Sequence, residues 1–158
     1  MFVSENIIDG VVYKLETADF EAEVTLLGSE QPALLAYILS EDFELLTNDE
    51  REWLLYIVLV LWQSVERVHG KLDPLSKNAL ETAEEANWER LETVTTKRFR
   101  DRMTPFFEGY DQEDLLAFVE DSLTEDEENT ENVITKEGRE PMFVALKSVI
   151  DALTKIRH

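Results

Sequence analysis

The chain contains no cysteine. That single absence excludes disulfides, thiolate nucleophiles and cysteine-ligated metals. Histidine is almost as scarce: there are two, and one is the last residue, His158. An enzyme built on this sequence would therefore have to rely on carboxylates, and nothing marks any of them as perturbed. Five glycines and four prolines among 158 residues leave few helix breakers. With 44% hydrophobic residues, this composition describes a globular, helix-friendly chain and not a disordered one. No long apolar run is present either, since Trp53 to Trp62 is about half of what a membrane span needs. The N-terminus lacks a basic region followed by an apolar stretch, so the expectation is a cytoplasmic chain without membrane contact.

Positive charge is the other shortage. Fifteen Lys and Arg face 35 Asp and Glu, giving a formal charge of -20. The imbalance is uneven: residues 1–50 carry 12 acids and one base, whereas residues 51–100 carry eight of each. Such a surface repels nucleic acid and anionic lipid, so direct nucleic-acid binding is not expected. A protein partner is, and the charge balance admits a basic one.

What is there reads as helices. Ile7, Ile8, Val11, Val12 and Leu15 recur at helical spacing behind Ser4, a possible cap, although Asp9-Gly10 could also turn a hairpin. Phe20, Val24 and Leu27 form a stripe that Gly28 is expected to end, with Pro32 opening the next helix over Leu34, Leu35, Ile38 and Leu39. Thr47-Asn48-Asp49-Glu50 is a capping-box start, and the helix behind it is apolar on every side from Trp53 to Trp62. After Gly70 and Pro74, a long helix is expected to bury Leu80, Ala83, Asn87, Leu91, Val94 and Phe99, with Pro105 limiting its end. Asp111 with Asp114 should cap a helix burying Leu115, Leu116, Val119 and Leu123. The last helix carries Met142, Leu146, Val149, Leu153 and Ile156, and Pro141 predicts a late start for it.

Two stretches repeat. Gly28-Ser29-Glu30-Gln31 with Leu34-Leu35-Ala36-Tyr37-Ile38 matches Gly109-Tyr110-Asp111-Gln112 with Leu115-Leu116-Ala117-Phe118-Val119. Leu46-Thr47-Asn48-Asp49-Glu50-Arg51-Glu52 then matches Ile134-Thr135-Lys136-Glu137-Gly138-Arg139-Glu140 at an offset seven residues larger. The acidic stretch after Leu123 can absorb the difference. The expectation is one all-α domain, 1–158, a compact bundle of about six helices. It would comprise two related three-helix units, 16–69 and 75–158, about a pseudo-two-fold axis.

Candidate sites are few. Arg51 and Arg139 recur in first turns, where a cation opposes the helix dipole, so a carboxylate is expected to hold each; they also flank the seam between units. Glu81, Glu85, Glu89 and Glu92 form an acidic stripe that reads first as an ordinary solvated face; its axial step of about 6 Å, of the order of phosphate spacing, also admits a nucleic-acid mimic. Lys97 to Arg102 is the one basic cluster, read as complementing a helix C-terminus. Glu66 and His69 have Glu-x-x-His spacing, but a di-metal bundle needs a second such motif, and the repeat offers Arg157 instead. Asp126 to Glu137 has acids at several calcium-loop positions, with Glu131 where the loop needs Gly. No Ser/His/Asp order and no phosphate loop occur. The reading is a non-enzymatic, acidic protein-binding or adaptor domain, an inhibitor or nucleic-acid mimic among its variants. It needs no catalytic residue, metal or cofactor, and is open as to monomer or homodimer. The alternative is a carboxylate/His metal protein or enzyme using Glu66 and His69.

Overall fold

A computed structural model describes residues 1–124 and 134–155. Among these residues there are eight α-helices and no strand: α1 (Glu5–Glu16), α2 (Phe20–Glu30), α3 (Pro32–Ile38), α4 (Asn48–His69), α5 (Lys77–Glu92), α6 (Phe99–Phe107), α7 (Glu113–Leu123) and α8 (Lys136–Lys155). One 3-10 turn, Glu41–Phe43, precedes α4. The chain is all-helical as expected, with more helices than about six. Residues 5–16 are helix and not hairpin. The long helix expected from 75 towards Pro105 also breaks in two.

That break has a local cause. Thr93-Val94-Thr95-Thr96 is a run of four β-branched residues, which lose side-chain freedom in a helix. The Thr93 hydroxyl donates to Arg90 O, and the Arg102 guanidinium donates to Val94 O and Thr96 O. The non-helical connection thus has its own partners for carbonyls that a continuing helix would have used.

Helix ends correct several further expectations. Gly28 does not end α2, which runs on to Glu30. Its missing side chain instead admits α3, because a Cβ there would come within 2.9 Å of Leu35 Cδ2. Leu39 lies just past α3 and is exposed, and Phe20 sits at the surface. Ser4 precedes α1 without a side-chain cap. Asp114, expected to cap its own helix with Asp111, reaches across to accept from Glu5 N at 2.9 Å.

Two buried glutamines tie the chain together in the same way. Gln31 lies between α2 and α3; its Oε1 accepts from Leu75 N and its Nε2 donates to Asp73 O. Gln112 precedes α7; its Oε1 accepts from Val3 N and its Nε2 donates to Met1 O. Each amide holds the extended residues immediately before another helix, α5 in one case and α1 in the other.

The core lies around two helices. In α4, every residue from Ile57 to Trp62 is buried, as the all-round apolar pattern requires. In α8, every residue from Met142 to Leu153 is buried, although only Met142, Leu146, Val149 and Leu153 stood out as a stripe. α8 packs on α4, α5 and α7, while α1 covers α4 from another side. Ile156 and the stretch from Asp126 to Asn132 lie outside the described residues.

Glu50 joins these two central helices at their starts. Thr47 and Glu50 form the expected capping box of α4. The same carboxylate also accepts the Thr135 N–H and hydroxyl, each at 2.9 Å, just ahead of α8. Thr135 Oγ1 in turn accepts from Gly138 N at 3.0 Å. α8 therefore starts at Lys136, earlier than Pro141 suggested, and takes Pro141 into its second turn. Gly138 is needed because a Cβ there would collide with the Glu50 carboxylate. Glu50→Ala should destabilise the protein by roughly 2–4 kcal/mol, about 1–2 for each of two helix ends. Denaturant melts check this, and a loss no larger than an ordinary single cap would show that α8 does not depend on Glu50.

Candidate functional site

The sequence-predicted residues do not converge on one place. On α5, Leu80, Ala83, Asn87 and Leu91 face the core. Glu81, Glu85, Glu89 and Glu92 are all exposed on the outside. Glu81 pairs with Lys77 at 3.6 Å, while Glu85, Glu89 and Glu92 have no ion pair among the described residues. Glu84, beside this stripe, accepts the Tyr37 hydroxyl at 2.6 Å.

Among the described residues, neither recurring arginine is held by a carboxylate. Arg51 donates through Nε to Phe43 O and through a terminal nitrogen to Glu44 O, fastening the 3-10 turn to the start of α4. Arg139 lies over the Phe99 ring, 5.4 Å from its centroid. The basic cluster also differs from expectation. It sits at the start of α6 and not at the end of a long helix, so its cations oppose the local dipole and need partners. Arg100 finds Glu120, Asp121 and the Thr124 hydroxyl, and Arg102 binds Glu140 at 2.7 and 3.3 Å.

Glu66 accepts from Leu72 N at 3.0 Å, closing the connection after α4. No group of three or more His, Asp and Glu able to hold a metal assembles among the described residues. No helix among them is long and apolar enough to cross a membrane.

A polar cluster that the sequence did not reveal is buried between α5 and α8. Lys147 donates to both Asp151 oxygens, at 2.9 and 3.2 Å, and to Asn87 Oδ1 at 3.2 Å. Asn87 Nδ2 donates to Ser148 Oγ and Asp151 Oδ2. Tyr110 donates its hydroxyl to Asp151 Oδ1 at 2.6 Å, and its ring lies 4.4 Å from Lys147 Nζ. Burial pushes the Lys147 ammonium below its ordinary range, against the pull of Asp151. Burial and the Asp151 charge together raise the Tyr110 phenol well above its own. Lysine, tyrosine, serine and aspartate could serve catalysis, yet here they saturate one another inside the core. The cluster is an internal cross-link.

The surface offers a different kind of place. Asp49, Glu52, Trp53 and Tyr56 follow at i, i+3, i+4 and i+7, one face of the first turns of α4. With Phe20, which opens α2, they line an open recess of about 390 Å³. The Trp53 and Tyr56 rings stack with centroids 5.2 Å apart and planes 17° from parallel. Trp53 Nε1 donates to Ser122 O at 3.0 Å, which fixes the indole. The Tyr56 phenol is raised by burial and by the Glu16 carboxylate, which puts a third acid near the rings. Asp49 and Glu52 are exposed and have no cationic partner among the described residues. The i, i+3, i+4, i+7 spacing was visible in the sequence, but it lay within a segment whose apolar residues implied burial all round.

The matched stretch before and within α8 has a related arrangement already filled. Phe99 opens α6 as Phe20 opens α2, and Glu140 aligns with Glu52 in the two similar stretches of sequence, which do not themselves pair the two phenylalanines. There, Arg139 covers the Phe99 ring and Arg102 makes a two-point bond to Glu140. Comparison of the chain with protein-family models, with curated proteins and with solved structures finds no match to any of them.

Proposed function

We propose that this chain is a non-enzymatic binding protein whose partner presents a basic surface. The observation that carries this reading is the exposed acid on α5: Glu85, Glu89 and Glu92 stand on the outer face with no cation among the described residues. Like charges at that spacing do not help the helix, so their use is external. Inhibitors and nucleic-acid mimics are variants of the same reading, because each meets a cationic surface. The chemistry-capable side chains give indirect support, since those of the Lys147 cluster are spent on one another. A cytoplasmic protein of one domain, acting as monomer or homodimer, completes the proposal. A metal protein using Glu66 and His69 is the competing reading, and stoichiometric Fe, Mn or Zn in untagged protein would favour it.

Duplication belongs to the same proposal, with units of four helices and not three. Two features support it. Gln31 and Gln112, matched in the repeat, hold the segments before α5 and α1 reciprocally. Thr47 and Thr135, also matched, meet on one carboxylate. A pseudo-two-fold axis near Glu50 would account for both.

Calorimetry with poly-L-arginine at low and moderate salt tests the basic-partner reading. Binding should weaken steeply with salt, and Glu85→Gln/Glu89→Gln/Glu92→Gln should weaken it several-fold, as loss of exposed charge contacts does. Absence of binding at low ionic strength, or an unchanged affinity in the triple variant, would remove the α5 face from the proposal.

A further inference from the structure

We infer that the recess between α2 and α4 receives an arginine side chain of a protein partner. The inference deepens the basic-partner reading and rests on it, but places the main anchor away from the α5 stripe.

Three observations meet in this recess. Aromatic rings form its wall, and cations are drawn to the faces of Trp, Tyr and Phe. Two carboxylates with no cation among the described residues, Asp49 and Glu52, stand beside those rings, with Glu16 near Tyr56. Finally, the rings are held ready. Trp53 is pinned through Ser122 and stacked on Tyr56, so little ordering is left for a ligand to impose. Since the stacked centroids are 5.2 Å apart, no group enters between Trp53 and Tyr56. The guest lies on the side of the pair bounded by Phe20 and the acids.

The choice of arginine follows from the chain's own second half. Glu140 takes the Arg102 guanidinium by two nitrogens, and Phe99 takes Arg139 across its ring. Both places are therefore satisfied internally by arginine. In the first half Glu52, which matches Glu140 in sequence, and Phe20, which opens a helix as Phe99 does, have no arginine on them among the described residues. Arg51, the counterpart of Arg139, is committed to Phe43 O and Glu44 O. A guanidinium also suits the site better than an ammonium, because its plane can lie on a ring while its fork meets a carboxylate. The occupant is therefore an arginine supplied from outside.

The test uses the full chain and two short peptides, identical except that citrulline replaces arginine in one. Citrulline keeps the shape and removes the charge. Arginine peptide should shift the Trp53 indole N–H resonance, and citrulline peptide should bind much more weakly. Asp49→Asn/Glu52→Gln should weaken the arginine peptide by about two- to thirtyfold, the size of two exposed ion pairs. Tyr56→Leu should weaken it as well; should that variant fail to fold, the carboxylate pair decides alone. Equal binding of both peptides would overturn the inference in favour of simple apolar docking. Arginine binding unchanged in Asp49→Asn/Glu52→Gln but lost in the α5 triple variant would also overturn it, leaving the wider basic-partner reading intact. No peptide binding while poly-L-arginine still binds would do the same; failure of both would end both readings.

Discussion

Lys147→Met should destabilise the protein by about 3–5 kcal/mol, the usual cost of leaving a buried charge without its partner. Methionine keeps the alkyl volume, so the loss would report the ammonium and not a cavity. Asp151 would remain in the core with only Tyr110 and Asn87 to hold it. A loss below about 1 kcal/mol in denaturant melts would mean that water or rearrangement reaches Asp151, contrary to its burial. The cluster also sets an alkaline limit. Tyr110 has a raised folded pKa, from burial first and Asp151 second. It is therefore protonated in the folded chain at pH values where the unfolded chain has begun to lose the proton. Its stabilising contribution is complete below the unfolded tyrosine value of about 10 and declines as pH rises beyond it. Tyr110→Phe should make that alkaline decline shallower, with Tyr37, raised by burial and Glu84, and Tyr56, raised by burial and Glu16, contributing to what remains.

Leu59→Ala should cost roughly 2–5 kcal/mol, the range for a large-to-small change at a fully buried site. Leu59 lies in the run from Ile57 to Trp62 where α4 is covered on every side, with α1 and α8 packed against it. Leucine is a cleaner probe there than Trp62, whose buried indole N–H has no hydrogen-bond partner among the described residues. A change under about 0.5 kcal/mol, typical of surface substitutions, would show that α4 is not central.

Much of the helical framework could be read along the chain, because it rests on local chemistry. Thr47 and Glu50 announce the start of α4 through a cap that needs only four consecutive residues. Leu80, Ala83, Asn87 and Leu91 trace the buried face of α5 by period alone, and all four are buried. The break before α6 was legible too, in Thr93-Val94-Thr95-Thr96, but the longer apolar stripe drew the helix through it. Pro141 misled in the opposite direction. A proline in the second turn costs one hydrogen bond, and the Thr135–Glu50 contacts outweigh that local preference.

The sequence by itself determined that this protein is helical, acidic, free of thiol chemistry and built around an apolar α4. Each of these follows from composition, or from periods spanning a few neighbouring residues. Tertiary structure alone decided the roles of Lys147, Asp151, Gln31, Gln112 and the second half of Glu50's carboxylate. All of these are polar, and along a chain a polar residue reads as solvated unless its partner can be seen. Those partners lie between 41 and 111 positions away, apart from the Lys147–Asp151 contact itself. The recess has the same origin. Asp49, Glu52, Trp53 and Tyr56 share a face by sequence spacing, but only the packing of α2 leaves that face open beside Phe20.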